Sequence, residues 1–188
     1  MKIAFTSNES DFISQSIQFF TKDKAKIFPI SSHCFPIIGE IHGVELGLSA
    51  DEVLISIIDV NRYRRNLNYN LRIYEVPDVV LPSIWIQRTI EENNQKIYPH
   101  LELIWFIIEW ARNKILPDDP NDKNWIDYSK FCSELTAETL KAAGYSGWIK
   151  GYDSNSLTPT ELESLVKAIP HCKLIEERVI NIGDKNEI

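Results

Sequence analysis

Strand-type and helix-type patterns occupy different stretches of this 188-residue chain, and that segregation constrains its architecture most. Residues 2–5 read as a short strand. Residues 34–38 and 44–48 read as strands joined across Gly39-Glu40-Ile41-His42-Gly43, and glycine at both rims of a five-residue connection predicts a hairpin. A largely apolar strand follows over 53–60, then another over 71–76, closed by Pro77. One helix interrupts this series. Residues 11–20 place Phe12, Ile13, Ile17 and Phe20 at helical spacing, with Ser10 positioned to cap them.

Beyond Pro77 the pattern turns helical. Residues 83–96 and 99–114 carry helical periodicity, the second with Leu101, Ile104, Trp105, Ile108 and Ala111 on one face. Pro117-Asp118-Asp119-Pro120-Asn121-Asp122 is a loop. A helix over about 131–143 is ended by Gly144. Thr158-Pro159-Thr160-Glu161 opens another with a capping threonine, proline in the first turn and glutamate three residues on. Residues 173–182 form a last strand. Strands early and helices late predict an α+β fold with an antiparallel sheet rather than alternating βαβ units. The length suits a single domain over 1–188, with a helical insertion around 83–127.

Charge narrows the partners. Twenty basic residues against 27 acidic give −7, and no Lys/Arg run exceeds two. Such a surface repels phosphate backbones and lacks the basic cluster of an electrostatic membrane anchor. The N-terminal segment turns polar after five residues, too soon for a signal peptide, and the apolar stretch 101–110 is broken by Glu102 and Glu109. These features predict a cytoplasmic protein without nucleic-acid or integral membrane contact; they say nothing of oligomeric state. Three cysteines at unrelated spacings make no disulfide framework.

No metal or cofactor is expected. Asp118, Asp119 and Asp122 lack the glycine and terminal glutamate of a calcium loop. His33-Cys34 and His171-Cys172 are adjacent pairs, whereas zinc ligands usually stand two to four residues apart. There is no phosphate-binding glycine loop and no dinucleotide fingerprint. His42 on its turn and His100 after Pro99 read as solvated.

Two residues point to thiol chemistry. Cys132, in Tyr128-Ser129-Lys130-Phe131-Cys132-Ser133-Glu134-Leu135, falls in the first turn of its helix, where the positive end of the macrodipole favours thiolate. The stripe Cys132, Leu135, Thr136, Thr139, Leu140 and Ala143 keeps it on the inward face. His33, after Ser31-Ser32, opens a strand and can offer a ring nitrogen to a helix-borne thiol. Taken singly, each residue has a bland reading: a small buried hydrophobe for the cysteine, a core or rim histidine for the other. Cys34, next to His33, should point to the opposite face and join the core.

Together they resemble a family. Ser32-His33 entering a strand, a returning hairpin strand and the late Phe131-Cys132-Ser133-Glu134-Leu135 helix look like the circularly permuted NlpC-type, papain-like (YiiX-like) cysteine hydrolases. In ordinary papain-like enzymes the cysteine precedes the histidine; here the order is reversed. Ile17 and Phe19-Phe20-Thr21 before Ser-His, Tyr63, and Lys96-Ile97-Tyr98 leading into Leu101 and Leu103 agree with that branch. The resemblance implies a permuted papain-like domain, an antiparallel half-barrel packed against the cysteine-bearing helix. It implies an amidase or peptidase working through an acyl-enzyme, with Cys132 as nucleophile and His33 as base. Tyr128 would line the pocket. The implied substrate is a small peptide, amide or lipid-like molecule, cell-wall peptides among them.

The third catalytic position departs from the family pattern. Ser49-Ala50 stands where Glu-Ala is expected. If the hairpin apex is Glu40-Ile41-His42, facing residues sum to about 82 and Ser49 sits across from His33. A register shifted by two residues, or a longer hairpin, would bring in Glu45 or Asp51, which share strand parity with Ser49. Two other readings stand beside the hydrolase: a non-catalytic binding module that keeps the fold, which the serine would suit, and a thiol acyltransferase or lipid acyl hydrolase.

Overall fold

The computed structural model describes residues 1–22, 27–50, 55–77, 81–93, 132–149 and 157–180. Their strands are β1 (Lys2–Asn8), β2 (His33–Ile41), β3 (Val44–Ala50), β4 (Ile55–Asp59), β5 (Tyr69–Glu75) and β6 (Lys173–Arg178). They form one antiparallel sheet in the order β4-β3-β2-β1-β5-β6. The helices are α1 (Phe12–Thr21), α2 (Asn61–Arg65), α3 (Ser83–Asn93), α4 (Cys132–Leu140), α5 (Ser146–Ile149) and α6 (Pro159–Lys167). The result is a mixed α/β chain with its strands antiparallel and mostly early, as the segregated patterns require. The expected helix over 99–114, the 117–122 loop, Tyr128 and Asp51 lie outside the described residues.

Local sequence accounts for most element ends. Asp11, not Ser10, caps α1: its carboxylate accepts from the Ser14 N–H at 2.7 Å, a reach the extended Asp11 backbone allows. Thr158 and Glu161 close the expected capping box on α6. Gly144, at φ 100°, breaks the helical path after α4 and lets a wide turn (Lys141–Tyr145) lead into α5.

The β2–β3 connection corrects the expected hairpin. Gly39, Glu40 and Ile41 continue the strand, and the turn is only His42-Gly43, at φ 51° and 79°. Two successive left-handed residues make the tight turn whose twist suits a hairpin. Facing residues sum to 85 near this turn (Ile41 with Val44) and to 84 at Ile37 with Gly47, the step marking a bulge. The expected sum of 82 was thus too small by about two residues.

The sheet's faces are covered differently. On one, Ile3, Phe5, Cys34, Tyr74 and Val76 pack against Ala137 and Leu140 of α4, Ile149 of α5 and Leu162 and Val166 of α6. Farther along that face Leu48, Ala50 and Ile55 meet Leu135, with Trp85 and Ile90 of α3 beside them. The other face carries Ala4, Phe35, Ile37, Ile58, Leu71 and Ile73 around Tyr63 of α2. This face is strongly concave. Glu45 of β3 and Glu176 of β6 lie four strand steps apart, roughly 19 Å in a flat sheet, yet Arg64 of α2 bonds both, at 2.5 and 2.7 Å. The sheet must curl around α2 for one side chain to span them.

Curling leaves no room at Gly47. A Cβ there would stand 2.7 Å from Phe35 Cδ2 and 3.2 Å from Ile58. Phe35 is fully buried and cannot swing into solvent. Gly47→Ala is expected to destabilise the protein by about 1–3 kcal/mol through overpacking. A urea midpoint unchanged from wild type would show that the ring can yield.

Candidate active site

His33 is the first residue of β2, Ser49 lies near the end of β3, and Cys132 is the first residue of α4. The antiparallel return of β3 brings Ser49 beside the start of β2, and packing of α4 on the same strands brings the thiol there. His33 Nε2 is 2.9 Å from Ser49 Oγ. The His33 ring also lies close enough to Cys132 for its charge and polarity to lower the thiol pKa. Three residues far apart in sequence therefore meet at one end of the sheet.

Ser49 reaches His33 along a different line from the one expected. The observed register displaces Ser49 by about two residues from directly opposite His33, but both side chains keep the same face, so the contact is diagonal. Ser49 is fully buried, and its neighbour across β4 is Ser56. The His33 ring leans toward Phe35 and Tyr63, with centroids 5.8 and 6.5 Å away. These aromatics form an apolar wall beneath the imidazole.

Glu45 is held elsewhere. Lys2 Nζ and Arg64 Nη2 each donate to it at 2.5 Å. Burial alone would raise its carboxyl pKa, but these two cationic donors outweigh burial and hold it below the ordinary range. As an orienter of His33 it is displaced by its place beside the turn, four residues from Ser49.

Cys34 enters the site. Strand parity sends its side chain into the core, where it is fully buried. That face is the one α4 covers, so Cys34 lies in the core cluster against which Cys132 packs, and the two thiols shift each other's ionisation. Sequence reasoning separated Cys34 from the site by giving it the face opposite His33. The overlooked signal was that this same parity aims it at the helix bearing Cys132.

The electrostatics favour a charged Cys132. The Cys34 thiol hydrogen bond lowers its pKa most; burial opposes; the His33 charge and hydrogen bond add to the lowering, and the net value falls well below that of an ordinary thiol. Cys34 moves the other way, pushed well up by burial and by the charge on Cys132. Its sulfur also neighbours Thr136, whose hydroxyl donates to the Cys132 carbonyl at 2.8 Å. Cys172 is raised by burial alone. One thiol of three is thus set apart as the most readily ionised.

A second polar cluster lies beneath this end of the sheet. Arg72 of β5 forks onto the fully buried Glu163 of α6, Nε to Oε1 at 2.6 Å and Nη2 to Oε2 at 2.9 Å. Tyr74 donates to Oε1 at 3.0 Å and Ser31 to Oε2 at 2.6 Å. Arg72 also donates to the Pro29 carbonyl at 2.5 Å. The cluster pins the chain at Ser31, two residues before His33. Among the described residues no group of His, Cys, Asp and Glu has the arrangement of a metal site, and no helix is long and apolar enough to cross a membrane. No protein-family model matches the chain, and no curated protein or solved structure matches it either.

Proposed function

We propose that this chain is a cysteine hydrolase of the permuted papain-like type, cleaving an amide bond through an acyl-enzyme on Cys132. The observation that carries this reading is the bond from Ser49 Oγ to the His33 ring, beside a thiol at a helix start whose pKa that ring helps to lower. Nucleophile, base and orienter in hydrogen-bonding sequence are what thiol catalysis requires.

The chemistry follows from these positions. With Nε2 on Ser49, proton exchange with the sulfur falls to Nδ1. When the ring is charged, both nitrogens donate, and the Ser49 oxygen accepts from Nε2–H. The thiolate attacks the carbonyl, and the Cys132 N–H at the start of α4 supports the developing oxyanion. His33 then protonates the departing amine and activates the water that releases the acid. A serine holds the ring by hydrogen bonding and adds no charge. Small peptides, amides and lipid amides are the substrate class, and a reducing cytoplasm suits its three free thiols.

Iodoacetamide tests the site without a known substrate. Alkylation at neutral pH is expected at Cys132 first, with its rate rising at lower pH than that of an ordinary thiol because its pKa is lowered. Labelling of Cys34 and Cys172 should instead climb as pH rises. Ser49→Ala should slow amide turnover by about 10–100-fold, the scale seen for groups that orient a functional histidine. If Cys172 labels faster than Cys132 at pH 7, the proposed nucleophile is wrong.

A further inference from the structure

Cys132 and Cys34 form an unusual pair. One thiol is partly exposed at the start of α4, and the other is fully buried directly against it, on a central strand of the sheet. Both belong to the packing between β2 and α4, Cys34 inside the core cluster and Cys132 against it, close enough that each thiol shifts the other's ionisation. Hydrolysis uses only the first. A buried thiol touching a reactive one is the arrangement in which a sulfenic acid is captured before it oxidises further.

We propose that Cys132 and Cys34 act as a peroxide-responsive dithiol, Cys132 as the oxidised residue and Cys34 as the resolving one, closing a reversible disulfide that silences the site. This inference concerns the same sulfur as the proposed hydrolase but does not depend on acyl transfer.

The steps balance with a peroxide, ROOH, as oxidant. The Cys132 thiolate attacks one peroxide oxygen, the O–O bond breaks, and the other oxygen leaves as ROH after taking a proton. Sulfur is oxidised to the sulfenic acid and the peroxide is reduced. The Cys34 sulfur then attacks the Cys132 sulfur, the S–O bond breaks, and hydroxide leaves as water with the proton Cys34 gives up. In sum, two thiols and ROOH yield a disulfide, ROH and water. A small thiol reductant reverses it by exchange.

Geometry and accessibility assign the roles. From packing contact the sulfurs must close to the S–S bond of ~2.05 Å, a displacement that rotation about one cysteine side chain and a small shift of the helix start can supply. Cys34 has no exposed surface whereas Cys132 is half-buried, so a solvent oxidant meets Cys132 first. The raised pKa of Cys34 keeps it a thiol until its neighbour is oxidised. Cys172 borders the same core cluster and is the rival resolving residue.

The test uses the full chain and hydrogen peroxide as the probe. After brief exposure the intact mass should be lower by two hydrogens, and non-reducing peptide mapping after blocking of free thiols should show a Cys34–Cys132 link. Alkylation of Cys132 should be lost, then fully recovered with dithiothreitol. Cys172→Ser should form the same link. Cys34→Ser should instead drive Cys132 to the sulfinic acid, which dithiothreitol does not reverse. A Cys132–Cys172 link, or over-oxidation of Cys132 with no disulfide in the wild type, overturns the proposal. The wild-type map stands even if the Cys34 variant does not fold. Because the readout is mass rather than turnover, a disulfide in a chain that cleaves no amide sinks the hydrolase reading alone, and turnover without a disulfide sinks only this one.

Discussion

Cys132→Ser will reduce kcat/KM on any amide or ester substrate by about a thousandfold or more, with thermal stability close to wild type. The change swaps sulfur for oxygen at a partly exposed position, so packing is nearly conserved. Chemically it exchanges a thiol whose pKa is held well below the ordinary value for a hydroxyl. His33→Ala should be almost as damaging, because without the ring neither the proton nor the charge beside the sulfur is managed. The double variant should be little worse than either single one, since the two act as a unit. Steady-state kinetics and a melting curve for each protein check this. Retention of even a tenth of wild-type turnover by Cys132→Ser would remove thiol catalysis from consideration.

The second large effect is on stability. Glu163→Gln is expected to cost about 3–5 kcal/mol, because it leaves the Arg72 guanidinium buried without its counter-charge. That is a large share of the 5–15 kcal/mol by which domains are typically stable. Both partners lie out of solvent, so screening does not soften the loss as it would for a surface pair. Arg72→Met should cost about as much alone. Combined with Glu163→Leu it should recover part of the loss, since paired apolar replacements remove both charges, although Tyr74 and Ser31 then lose an acceptor. Urea denaturation reads each value. Strict additivity of the Arg72→Met and Glu163→Leu single costs in the double variant would contradict a direct interaction.

Much of this fold was legible in the sequence, and the failures have local causes. The capping box at Thr158 and the stop at Gly144 follow from side-chain and backbone chemistry contained within a few residues. The β2–β3 turn did not, because two glycines framed a longer loop than the chain uses. His42 takes the left-handed conformation that the pattern reserved for glycine, and the register moved with it. The bulge beyond Ile37 then altered the count by one more residue, which no periodicity reveals. His33, Ser49 and Cys132 were each singled out, and they do meet, but through a diagonal rather than a facing pair. Arg72 and Glu163 went unnoticed. Each sits in an amphipathic segment where a charge reads as surface, and only the tertiary meeting of β5 with α6 makes them interior.

The order of the strands has a consequence for synthesis. The first five strands come from the leading 75 residues and are neighbours in the sheet, so they can pair while the rest of the chain is still being made. The face carrying Ile3, Phe5, Tyr74 and Val76 then waits for α4 and α6, which arrive more than fifty residues later. Histidine and serine are in place early; the thiol arrives last, on the helix that also shields the waiting core. Docking of α4 covers part of the nascent apolar face and brings Cys132 beside His33 in one event, so a partly made chain holds only two of the three candidate site residues in place.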